Sequence, residues 1–177
     1  EPRVACGCFD RKVRIYDPVA GGAPLVVIEV GSTVMGGMSA LAVFKDSATG
    51  KLRLACGDTD EKVRIFDPVA GGEALLVIDV GSQVGSRKYD SAVRALTLFV
   101  DPATGAPRLA SGSRDGKVRV FDPVAGGEAK IVFEVGGEVK SLAIFTDPGT
   151  GAPRLACASR EKVLVFDPVA GGEALLV

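Results

Sequence analysis

"RLASGSRDGKVRVFDPVAGG", residues 108–127, decides how this chain folds. It opens on a short run of small and apolar residues. "SRDGK" (113–117) then places Asp and Gly where a tight turn needs a local acceptor and a residue free to take positive φ. "KVRVFD" (117–122) alternates Val with Arg and an aromatic, the period of a strand packed on both faces. "DPVAGG" (122–127) is turn chemistry again. Its Asp accepts from following amides, its Pro fixes φ, and its two glycines allow positive φ. The stretch therefore reads strand, turn, strand, turn.

The same phrase recurs along the chain. The Asp of "DPVAGG" falls at Asp17, Asp67, Asp122 and Asp167, with spacings of 50, 55 and 45 residues. A self-similar period in this range marks a repeat architecture. Each full repeat holds four strand-like runs rich in Val, Ile, Leu and Phe. Run A is "SALAVF" (39–44), "RALTLF" (94–99) and "SLAIF" (141–145). Run B is "RVACG", "LRLACG", "PRLASG" and "PRLACA"; run C is "KVRIYD", "KVRIFD", "KVRVFD" and "KVLVFD". Run D is "LVVIEV", "LLVIDV", "KIVFEV" and a final "LLV". "DPATGAP" (101–107) and "DPGTGAP" (147–153) join A to B with the same turn chemistry. Four antiparallel strands per repeat, with no helical stretch, predict a radial or stacked all-β repeat.

Runs B and C with the Asp turn between them resemble the core of a WD-repeat blade, in which a small-residue strand leads through an Asp turn to a "V-R-V-W-D" strand. The resemblance covers essentially the whole chain and implies a β-propeller that serves as a scaffold for protein partners; a Kelch or NHL-type propeller is the runner-up within this architecture. The chain departs from the family at several positions. Tyr16, Phe66, Phe121 and Phe166 stand where the family has Trp, and Gly31-Ser32, Gly81-Ser82 and Gly136-Gly137 stand where it has Gly-His. The turn Asp is kept as Asp10, Asp60 and Asp115 and is missing from the shorter "SREKV" (159–163). The family's Asp-His-Ser-Trp network therefore cannot form, and stability is expected to rest more on apolar packing between blades. Asp115→Ala is accordingly expected to cost much less than Phe121→Ala. Arg14, Arg64 and Arg119 alternate with Val and Ile and read as inter-blade or edge residues.

The predicted fold is an all-β propeller of four-stranded antiparallel blades. A partial blade occupies 1–30, and further blades occupy 39–80, 92–135 and 139–177. Three A–D sets and one B–C–D set make fifteen strands, about 3.75 blades. The chain thus reads as a segment of a larger or multi-chain propeller.

Composition narrows the function. A net charge of −1 over 177 residues leaves no electrostatic footprint for nucleic acid or an anionic membrane. The apolar runs fall far short of the ~20 residues of a membrane helix. Cys6, Cys56 and Cys157 share one place in successive repeats, taken by Ser111 in the third, which fits a small buried side chain. Equivalent places in successive repeats are too far apart for disulfides, so the thiols read as reduced and the compartment as cytoplasmic. Cys6-Gly-Cys8 has no His and no second pair to complete a metal site, so no metal and no cofactor is expected. The absence of His removes the commonest general base, and no catalytic residue is assigned. Most carboxylates are turn residues or, like Glu29, Asp79 and Glu134, solvated strand ends. "GSRDGK" (112–117) has the wrong spacing for a phosphate loop and leads into a strand.

The A–B and C–D connections are nearly uniform, whereas the D–A stretches differ: "GSTVMGGMSA" (31–40), "GSQVGSRKYDSAV" (81–93) and "GGEVK" (136–140). Connections that geometry does not dictate are free to carry recognition. Met35 and Met38, with Arg87, Lys88, Tyr89 and Asp90, are therefore the candidate protein-binding residues. In a WD-type blade the D–A and B–C loops share one face. The function read from the sequence is a non-catalytic interaction scaffold within a protein assembly, with protein partners or self-association completing the propeller. The alternatives are the propeller portion of an enzyme whose catalytic residues lie elsewhere, and an engineered consensus repeat.

Overall fold

The computed structural model describes residues 2–31, 37–81 and 92–176. The described residues form four successive antiparallel sheets. The first holds β1 (Val4–Gly7), β2 (Lys12–Tyr16) and β3 (Val26–Glu29). The second orders β4 (Met38–Lys45), β5 (Leu52–Asp58), β6 (Lys62–Phe66) and β7 (Leu76–Asp79). The third repeats this with β8 (Val93–Val100), β9 (Pro107–Ser113), β10 (Lys117–Phe121) and β11 (Ile131–Glu134). The fourth holds β12 (Ser141–Thr146), β13 (Pro153–Ala158) and β14 (Val163–Phe166). Fourteen strands are thus described rather than fifteen, because the last D run makes only a single bridge, Val165 to Leu176.

The turn chemistry acts as read. The Asp67 carboxylate accepts the amides of Val69 and Ala70, and its carbonyl accepts the amide of Gly71. Gly71 and Gly72 take φ of 68° and 85°, so the hairpin needs both glycines. Gly71 and its counterparts Gly126 and Gly171 also press against Val26, Leu76 and Ile131 of the preceding blade. The repeated phrase therefore closes a hairpin and covers a seam at once.

The core lies between the sheets. Three clusters each join one blade to the next. In the first, Val13, Ile15, Ile28 and Val30 meet Leu54, Cys56 and Phe66. Alternation on β6 explains the division. Val63 and Ile65 turn to the following blade, while Phe66 turns to the preceding one. The A strands β4, β8 and β12 lie against one another on the inner side. A glycine in each of the first three B strands makes room for a residue that leads into or opens the next A strand. A Cβ on Gly57 would stand 2.4 Å from Val93, and one on Gly112 would stand 2.4 Å from Val139.

No core cluster joins the fourth sheet to the first among the described residues. The two outer faces are open as a result. Val163 is 56% exposed where its counterparts Val63 and Val118 are fully buried. Cys56, Cys157 and Ser111 are buried as expected, but Cys6 is exposed, since among the described residues no blade packs on its side of β1.

Candidate functional site

Two arginine devices hold the ends of the blades. At one end, Arg53, Arg108 and Arg154 each fork between the A–B and C–D turns. Arg108 reaches Asp101 at 3.0 Å and Asp122 at 3.4 Å; Arg154 reaches Asp147 at 3.1 Å and Asp167 at 3.0 Å. Asp101 is held below its ordinary value by the Ala103 amide, its partner Thr104 and the charge of Arg108. This fork tethers two hairpins that sequence spacing alone left separate.

At the opposite end, Arg14, Arg64 and Arg119 pair with the turn aspartates Asp10, Asp60 and Asp115 at 2.6, 2.5 and 2.7 Å. Arg119 is buried; it also donates to the Ser113 hydroxyl at 3.2 Å and to the Gly81 carbonyl of the preceding blade at 3.5 Å. Ser113 donates to Asp115, which also accepts the Lys117 amide. Burial alone would raise the Asp115 carboxyl, but the bonds from Arg119 and Ser113 outweigh it and hold it low. Arg119 bonds across a seam, while the bonds of Arg14 and Arg64 to Asp10 and Asp60 stay within their own blades. The expectation that stability rests more on apolar packing needs an addition in the third blade, where an Asp-Ser-Arg network stands in place of the family's. In the fourth blade the Arg position is Leu164, which is buried in the seam, and the turn Asp is gone as well.

The second blade carries an imperfect version. Asp58 takes the place of Ser113, is buried, and accepts from the Thr59 amide at 2.6 Å. Burial pushes its carboxyl up, and the neighbouring Asp60 charge adds to the effect. Arg64 bonds Asp60 and feels the Asp58 carboxylate only through its charge.

The described ends of the D–A stretches and the B–C turns share this end. A cleft of about 340 Å³ is lined by Phe9 and Thr59 from B–C turns and by Gly37, Met38, Ser39 and Arg94 from the starts of A strands. Met38 is half-buried, and its side chain fills the space above Gly7 as Val93 and Val139 do above Gly57 and Gly112. It is a seam residue that also borders the cleft. Met35, Arg87, Lys88, Tyr89 and Asp90 lie outside the described residues. The structure adds Phe9, which is 89% exposed and stands against Gly37. Alignment of the copies already singles it out, since Thr59 and Arg114 hold its place elsewhere. Nearby, Arg94 donates to Glu138 at 3.0 Å, and Lys140 to the same carboxylate at 2.6 Å. Among the described residues no group of three or more His, Cys, Asp or Glu could hold a metal ion.

Comparison with known proteins agrees with this architecture. Residues 82–122 match the family model described as WD domain, G-beta repeat. No curated protein matches the chain. Among solved structures, Sqt1 of Saccharomyces cerevisiae is similar with a TM-score of 0.70 and 19% identity over 94% of this chain and 42% of its own. The computationally designed Ika8 protein is similar with a TM-score of 0.68 and 24% identity over 99% of this chain and 45% of its own. The designed Ika4 protein shows a TM-score of 0.62 and 21% identity over 94% and 86%. The chain therefore spans less than half the length of the first two.

Proposed function

We propose that this chain, a propeller-like fold with WD40-like repeats, acts as a non-catalytic scaffold that binds protein partners of a larger assembly. Binding is through the end that carries the D–A and B–C loops. One observation carries the reading: the exposed Phe9 ring beside a cleft bordered by Met38 and Arg94. An aromatic anchor, an adaptable thioether and an arginine rim are the composition of binding hot spots. Arg87, Lys88, Tyr89 and Asp90 belong to the longest D–A connection and extend the same surface in this proposal. A reducing, cytoplasmic setting is part of it. The four thiols are free, and burial pushes Cys56 up to about 12, which leaves that thiol unreactive. No helix of the described residues is long and apolar enough to cross a membrane.

The test is affinity recovery of partners from the source cells with Phe9→Ser, compared with Val19→Ser at an equally exposed C–D hairpin position. Phe9→Ser should weaken recovery at least tenfold, which corresponds to about 1.4 kcal/mol, and Val19→Ser should leave it unchanged. Equal recovery with both variants overturns the assignment of this face.

A further inference from the structure

A cavity of about 590 Å³ lies between the second and third blades, at the end that carries the A–B turns. Every residue that lines it belongs to these two blades, and both carry all four strands. Its volume falls in the range of small-molecule sites, roughly 300–1,000 Å³. The apolar wall is made by buried Phe44 and Pro107, half-buried Leu98 and Val100, which is 61% exposed.

Lys45, Asp46 and Ser47 bring the polar side chains. Asp46 is engaged within its own blade. Its carboxylate accepts the Ala48 amide at 2.9 Å and the Thr49 hydroxyl at 2.7 Å, and it faces Arg53 at 3.6 Å. The Lys45 ammonium and the Ser47 hydroxyl have no hydrogen bond or ion pair among the described residues. These two are also places where the second blade leaves the repeat pattern. Val100 and Pro102 stand there in the third blade, and Thr146 and Pro148 in the fourth. The turn itself does not need the change, since Asp101 and Asp147 accept the amides of Ala103 and Gly149 just as Asp46 accepts that of Ala48. Lys51 departs in the same sense, with Ala106 and Ala152 as its counterparts. The second A–B hairpin thus keeps the geometry of its sisters and adds two cations that they lack.

From these observations we infer that the cavity is a binding site for a small-molecule carboxylate with an apolar chain, of the class of medium-chain fatty acids. Its carboxylate pairs with Lys45 and accepts from the Ser47 hydroxyl, and its chain lies on Phe44, Leu98, Val100 and Pro107. Burial of the chain supplies affinity, and the charge-assisted bond fixes its direction. One ammonium and one hydroxyl suit a single negative charge, while the Asp46 carboxylate beside them disfavours a dianionic head such as phosphate. The site lies at the end opposite the loop face assigned to protein partners, so the failure of either assignment leaves the other standing.

The probe is sodium decanoate, kept below its micellar concentration, titrated into the 177-residue chain and read by isothermal titration calorimetry. Saturable binding of a single decanoate per chain is expected. Decanamide, which keeps the chain and lacks the charge, should bind at least tenfold more weakly. The double variant Lys45→Val, Ser47→Pro installs the third blade's residues, so its circular dichroism should match the parent. It should lose at least tenfold in decanoate affinity and leave decanamide binding unchanged. Val100→Glu sets a like charge in the apolar wall and should weaken decanoate more than decanamide. Absence of saturable binding, equal affinity for decanoate and decanamide, or undiminished decanoate binding in either variant overturns the proposal. So does tighter binding of a short apolar peptide with a free C-terminus, which would assign the cavity to the tail of a protein partner.

Discussion

Arg119→Leu tests whether the Asp-Ser-Arg network stabilises the third blade. The substitution copies the fourth blade, where Leu164 fills the same seam. Arg119 makes three bonds: to Asp115 at 2.7 Å, to Ser113 at 3.2 Å and across the seam to Gly81 at 3.5 Å. Its loss leaves a largely buried carboxylate with the Ser113 hydroxyl and the Lys117 amide as partners. Breaking a buried pair from one side costs roughly 3–5 kcal/mol. Those two surviving bonds argue for the lower end, about 3 kcal/mol. Asp115→Ala strands the guanidinium in the same way and should cost about 2–3 kcal/mol, against the smaller loss that the sequence suggested. The double variant removes both charges and leaves no orphan, so it should cost about 2 kcal/mol in total. The pair should therefore couple by about 3 kcal/mol, as contacting residues of one network do. Phe121→Ala, which empties a fully buried ring from the preceding seam, supplies the yardstick of roughly 3–5 kcal/mol. Urea unfolding of the four variants and the parent, with the m-value checked for constancy, reads all of this. Strict additivity of the two single changes would refute the network and return the stability to apolar packing.

Two further outcomes are expected. Asp58→Ser, which gives the second blade the third blade's residue, should raise stability at pH 7 by about 1 kcal/mol. Because the folded Asp58 carboxyl is raised above its unfolded value, its charged form opposes folding at higher pH, so the advantage of the Ser variant should shrink as pH falls toward 4; a gain that is constant from pH 7 to 4, seen in thermal melts, would refute the burial of that charge. Ser111 Oγ is buried without a hydrogen-bond partner among the described residues, so Ser111→Cys, the residue of the other repeats, should stabilise by about 1 kcal/mol; a loss of urea midpoint would show that the hydroxyl is satisfied.

Much of this molecule is legible without coordinates, for a physical reason. Strands declare themselves by a period of two, and "DPVAGG" declares a hairpin because few residues tolerate its φ values. Repetition then supplies the blade and its strand order, and the turn Asp bonds follow from local chain geometry alone. The loop-face candidates were legible only as positions where the copies differ. Phe9 is visible in that way too, but nothing local tells an exposed Phe from a buried one.

What the tertiary structure decided is what lies between distant segments. Spacing made Arg53, Arg108 and Arg154 regular, but only packing brought two separate turns within reach of each guanidinium. Met38 read as a flexible contact, and the approach of one blade to the next made it the filler above Gly7. Local propensity and turn geometry act within a few residues and can be read along the chain. Seams, forks and grooves depend on how blades meet in space, and no single repeat contains that information.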